Sequence, residues 1–159
     1  MDIQQLSEQV GQRLLHKQFW LATAESCTGG WIAQAITDVA GSSQYFDRGF
    51  ITYSNDAKQD MLGVTATTLS QQGAVSEATV KEMTLGALAH SRANIVVAVS
   101  GIAGPSGGSS EKPVGLVWHA WCLRNEEPVT KVEQYLGNRF EVRRQTVITA
   151  LQGLLDLLA

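Results

Sequence analysis

No run in the 159 residues approaches the ~18 consecutive apolar positions that a membrane-spanning helix needs. The stretch Met1 to Gln12 carries polar residues throughout, so it has no signal-peptide core, and the cytoplasm is the expected compartment. Cysteine is scarce. Cys27 and Cys122 lie in apolar or motif segments, without any CxxC spacing, and read as reduced thiols rather than a disulfide or zinc ligands. His16, His90 and His119 are scattered, so no metal site is signalled, and these side chains read as structural or surface groups. An excess of positive charge is also lacking. The formal net charge is -3, which gives no basis for binding a nucleic-acid backbone. The one close basic cluster, Arg139, Arg143 and Arg144, reads as one face of a helix. There is no internal repeat, linker or low-complexity segment.

What is present is globular composition, 44% hydrophobic and 17% charged, over a length suited to one domain spanning residues 1–159. Ile3, Leu6, Val10 and Leu14 share one face of a first helix. Phe19 to Ala24 is a buried strand, followed by a turn and a helix over Trp31 to Thr37. Asp38 to Asp47 reads as turn and loop, and Gly49 to Tyr53 as a second strand. Ser54-Asn55-Asp56 caps a short helix closed by Gly63, and Thr65 to Gln72 is another. Ser76 caps a long helix reaching about Arg92. The β-branched run Ile95 to Val99 reads as a central strand covered on both faces. A glycine-rich loop, 100–113, leads to a hairpin of Val114–Leu123 and Val129–Leu136, and Phe140 to Leu158 forms a terminal helix. The fold class is therefore α/β, a single-domain three-layer α/β/α sandwich with a mixed sheet. The apolar faces of the first and last helices are compatible with a homodimer.

Three loops follow predicted strand ends: 25–30, 54–58 and 100–113. In open α/β sheets ligands bind outside the carboxyl ends of the strands, so three parallel neighbours would bring these loops to one pocket. Its polar contents would be Ser26, Thr28, Tyr53, Ser54, Asn55, Lys58 and Ser100. Ser26 is expected at or near the N-cap of the helix that follows. It, or Thr28, either caps that helix or stands beside free N–H groups suited to a phosphate or an oxyanion. None of the three loops holds a histidine, which disfavours a Ser-His-Asp triad. A serine at neutral pH needs an adjacent base, and Lys58 could serve if burial lowered its pKa, with Tyr53 relaying a proton or orienting it. Equally, Lys58 could be a solvated helix residue and Tyr53 an edge-of-core aromatic. The 100–113 loop is either a flexible crossover or an anion nest. It matches neither a Walker A motif nor the dinucleotide fingerprint, against nucleotide triphosphate hydrolysis or a Rossmann cofactor.

Ala24-Glu25-Ser26-Cys27-Thr28-Gly29-Gly30, Ile51-Thr52-Tyr53-Ser54-Asn55 with Lys58, Gly73-Ala74-Val75-Ser76, and Ser100-Gly101-Ile102-Ala103-Gly104-Pro105-Ser106-Gly107-Gly108 with Lys112-Pro113-Val114-Gly115 come in that order. Together they resemble the successive motifs of the CinA C-terminal domain family across nearly the whole chain. The resemblance implies a nicotinamide-nucleotide amidohydrolase, converting nicotinamide mononucleotide to nicotinate mononucleotide and ammonia in pyridine nucleotide salvage, with no cofactor or metal. It implies Ser26, Tyr53 and Lys58 as catalytic residues. Cys27, Thr28, Gly29, Gly30, Ser100, Gly101, Gly104, Gly107, Gly108 and Arg143 would then bind substrate, phosphate or oxyanion. The implied partner is a small nucleotide substrate, not a membrane or nucleic acid. Two departures from the family pattern are Ser100 where Thr is frequent, and Asn138 where Asp is frequent. The same residues would also suit a nucleotide-binding module with weak turnover, or an amidase for another small amide.

Overall fold

The computed structural model describes residues 1–159. The chain forms α1 (Ile3–Lys17), β1 (Leu21–Glu25), α2 (Trp31–Thr37), β2 (Phe46–Ile51), α3 (Asn55–Leu62), α4 (Ala66–Gln72) and α5 (Glu77–Ala89). These are followed by β3 (Ile95–Gly101), β4 (Leu116–Leu123), β5 (Val129–Gln134) and α6 (Arg139–Leu157). One five-stranded sheet has the order β2-β1-β3-β4-β5. Strands β1, β2 and β3 run parallel, while β4 and β5 form an antiparallel hairpin added to β3. This is the expected mixed-sheet α/β/α sandwich.

Each layer has its own apolar core. On one face Leu6, Val10 and Leu14 of α1, Ile32 and Ile36 of α2, and Val147, Leu151 and Leu154 of α6 pack on Val97, Val99 and Trp121. On the other face Val80, Met83 and Ala87 of α5 cover Ala22, Ala24, Val96 and Ala98. The β1 and β3 strands are buried along both faces, as continuous apolar runs in the centre of a parallel sheet should be. The apolar faces of α1 and α6 pack within the chain.

Some boundaries near the site differ from the sequence reading. Strand β2 begins at Phe46, inside the segment read as loop, because Leu21 of β1 pairs with Phe46 and extends the ladder. It ends at Ile51, so Tyr53 lies beyond the strand. The N-cap of α2 is Gly30, not Ser26. Gly30 has φ 106°, a left-handed conformation that favours glycine, and makes no side-chain cap. The capping role falls instead to Glu25, as the site geometry shows.

Candidate active site

The parallel strands β1, β2 and β3 end on the same edge, and the loops leaving them meet there. They enclose a cavity of about 180 Å³ lined by Ser26, Cys27, Tyr53, Asn55, Lys58, Ala74, Val75, Ser100, Gly101, Ala103 and Arg139. The loop after each of the three strands contributes, as does the 73–76 turn before α5 and the first turn of α6.

Ser26 and Lys58 are in direct contact. Lys58 Nζ lies 3.0 Å from Ser26 Oγ, 2.9 Å from the Thr52 carbonyl and 3.2 Å from the Tyr53 carbonyl. Helix α3 makes this contact feasible. Ser54 caps it by accepting from Ala57 N–H, which sets Lys58 on the first turn facing the end of β1. The lysine is only 1% exposed, and no carboxylate pairs with it. Burial therefore lowers its pKa from the usual lysine range. Lys58 Nζ has three N–H donors for these three neighbours when charged; when neutral it keeps two for the carbonyls and turns a lone pair toward the serine oxygen.

Beside them lies the buried Cys27 thiol. Burial, then the nearby Glu25 carboxylate, push its pKa up to about 12. His119 does not line the cavity, and burial pushes it down to about 4.

The turn after β1 is held from within by Glu25. This fully buried carboxylate accepts from Thr28 Oγ1 at 2.6 Å, from Ile32 N–H at 2.9 Å and from Ala33 N–H at 3.0 Å. Glu25 thus occupies the positive end of α2, the turn where the sequence left a helix cap, a phosphate or an oxyanion open. From outside, Arg143 donates from Nε to the Cys27 carbonyl and from Nη2 to the Thr28 carbonyl, with its guanidinium 5.6 Å from the Trp31 ring centre. Arg143 is therefore a brace on the turn. With these contacts in place, the N–H groups of Cys27, Thr28 and Gly30 have no backbone acceptor. Gly29 and Gly30 both have positive φ, which turns the chain into α2.

Tyr53 divides its two ends. Its carbonyl faces Lys58, while its phenol, in a residue 58% exposed overall, accepts from Arg139 Nη2 at 3.0 Å. Arg139 Nη1 also donates to the Gly104 carbonyl at 2.9 Å, tying the glycine-rich loop to the tyrosine. Ser100, at the end of β3, is buried against the cavity with Gly101, whereas Gly107 and Gly108 lie on the exposed part of the loop. Asn55, expected in the pocket, lines it, whereas Arg139 and the Ala74-Val75 wall were not nominated as functional residues. The signal for Arg139 was its neighbour: Asn138 caps α6 by accepting from Glu141 N–H at 3.0 Å, which fixes Arg139 on the first turn. The capping role needs an acceptor oxygen, which Asn supplies as well as Asp.

The CinA C-terminal domain model matches residues 3–158. The chain belongs to the CinA C-terminal domain family. It is 56% identical over 153 residues to a nicotinamide-nucleotide amidohydrolase PncC of Escherichia coli (strain K12), covering 96% of this chain and 93% of that one. A protein of the same name from Pseudomonas putida is 51% identical over 152 residues, covering 96% and 94%. Among solved structures, the competence/damage inducible protein CihA from Agrobacterium tumefaciens superposes with a TM-score of 0.98 at 51% identity, covering 100% of this chain and 97% of that one. The CinA C-terminal domain also occurs within longer proteins: a CinA-like protein of Akkermansia muciniphila is 50% identical, and the matched region is 36% of its length.

Proposed function

We propose that the chain is a nicotinamide-nucleotide amidohydrolase that releases ammonia from nicotinamide mononucleotide by means of Ser26 and Lys58. The observation that carries the mechanism is the 3.0 Å contact between a buried, unpaired lysine and a buried serine at a strand end. The relatives named for this activity match nearly the full chain and support the substrate.

In this reaction neutral Lys58 takes the Ser26 proton as Oγ bonds to the carboxamide carbon. The carbonyl oxygen becomes an oxyanion beside the Cys27 and Thr28 N–H groups, which have no other backbone partner. The C–N bond then breaks, and the protonated lysine delivers its proton to the departing nitrogen, giving ammonia. Water attacks the resulting ester, Lys58 takes a proton from it, and Ser26 recovers its hydroxyl as nicotinate mononucleotide leaves. Tyr53 orients Lys58 through its carbonyl and, with Arg139, forms the polar wall of the cavity. The small cavity suits the pyridine carboxamide, against Ala74 and Val75. The ribose phosphate extends toward the glycine-rich turn at Gly104, Gly107 and Gly108, where backbone N–H groups can receive an anion. Ser100 and Gly101 form the floor. The scheme calls for no metal or cofactor, and the molecule is expected to work in the cytoplasm.

Ammonia release by the purified chain tests the reading. Release from nicotinamide mononucleotide in preference to free nicotinamide is the expected result. Tight binding of the mononucleotide with no ammonia would overturn the enzyme assignment. Preferential turnover of a different amide would overturn the substrate.

A further inference from the structure

Strand β5 ends the sheet on the side away from the proposed active site, and none of its residues lines that cavity. We propose that β5 is the docking edge for a second copy of this chain, the two β5 strands pairing antiparallel about a two-fold axis at Val132.

The backbone selects which atoms are available. Tyr135 N–H donates to the Gly115 carbonyl. The β4–β5 register keeps the same sum of residue numbers, with Glu133 opposite Val117, Lys131 opposite His119 and Val129 opposite Trp121. These odd-numbered positions therefore form the hydrogen-bonded pairs with β4. The N–H and C=O groups of Thr130, Val132 and Gln134 point outward along the free edge. A two-fold axis through Val132 sets those three residues opposite one another, Val132 against Val132 and Thr130 against Gln134, so each outward group meets a partner.

Side-chain charge selects the same register. With the axis at Val132, Lys131 of each copy stands opposite Glu133 of the other. Moving the axis to residue 131 opposes two lysines, and moving it to 133 opposes two glutamates. A lysine usually guards a free edge against pairing. Here a glutamate two residues on makes the edge complementary to itself. In isolation the two side chains pair with each other along the strand at 3.0 Å. The exposed apolar residues of the strand, Val129 and Val132, and Leu136 just beyond it, then oppose Tyr135, Val132 and Pro128 of the second copy. At the other sheet edge, Asp47 and Arg48 of β2 are already engaged, with each other and with backbone groups of Arg92 and His90. That edge offers no such complementarity.

Sedimentation equilibrium on the intact chain tests this. The wild type should show a concentration-dependent dimer. Lys131→Glu and Glu133→Lys should each weaken association by about tenfold or more, since each opposes like charges twice. Mixing those two variants should restore it, because both facing pairs of the mixed dimer become opposite in sign. Val132→Pro should abolish dimerisation while leaving the far-ultraviolet circular dichroism unchanged, since this proline removes only an outward N–H. A wild type that stays monomeric would overturn the proposal. So would single swaps that leave association unchanged, or a mixture no tighter than its components while both remain folded.

Discussion

The turn carrying Ser26 and the loop facing it across the cavity are built in opposite ways. Residues 25–30 are fastened from both sides, by three donors on the buried Glu25 carboxylate and by two guanidinium contacts from Arg143. The loop between β3 and β4 is longer; it is paired at its base, where Gly115 N–H donates to the Ile102 carbonyl and Ile102 N–H to the Leu116 carbonyl, but from 104 to 112 its ties are few: Arg139 to the Gly104 carbonyl, Lys112 Nζ to the Gln72 carbonyl, and a local turn closed between Ser109 and Lys112. Most of its residues from 105 to 111 are exposed. A reacting oxygen must sit within a fraction of an ångström of its base, which needs a rigid support. A loop that receives a substrate tail can adapt to it. In the proposed mechanism, bond-making belongs to the first segment and fitting to the second.

Four changes should break or sharpen that contrast. Ser26→Ala or Lys58→Ala should lower ammonia release by at least ~10³-fold, the scale of a lost nucleophile or base. Arg143→Ala removes the outer brace without touching the serine. It should lower kcat by ~10- to 100-fold with little change in KM, through a displaced turn, and lower Tm by several degrees in a thermal melt. Acidification should act on the first segment too. Because burial lowers the Lys58 pKa, kcat/KM should fall about tenfold per pH unit once the pH is below that value. The unfolded chain takes up this proton more readily than the folded one. Stability should therefore also decline as the pH falls from the usual lysine range to the lowered value, and Lys58→Met should flatten that slope in denaturant titrations. Lys112→Ala, which frees the loop from the Gln72 carbonyl, should raise KM only a few-fold and leave kcat within about twofold in steady-state assays.

The architecture was legible because its signals are local and agree with one another: the β-branched run at 95–99, the caps at Ser54 and Ser76, and the Asn125–Pro128 turn all stand where the structure uses them. Convergence of the three strand-end loops was legible once the strands were taken as parallel neighbours. What local reasoning missed was the division of labour around the turn. Ser26 resembles a helix cap because serine is a good one, yet a buried glutamate one residue earlier reaches past it to the α2 N–H groups. Likewise, Arg139 and Arg143 share a helix but serve different loops, one tied to Tyr53 and Gly104 and the other to Cys27 and Thr28. Such long-range pairings leave no periodic trace in the sequence. The two carbonyls on Lys58 are backbone groups and leave no side-chain signature either.

The central claim is that Ser26 attacks the carboxamide with Lys58 as its base. Its most direct test is intact-protein mass spectrometry of turnover mixtures quenched in acid, followed by peptide mapping. A nicotinate mononucleotide ester on Ser26 in the wild type, absent from Ser26→Ala, is the predicted result. Full ammonia release by Ser26→Ala, or an acyl group mapped to another residue, would contradict it.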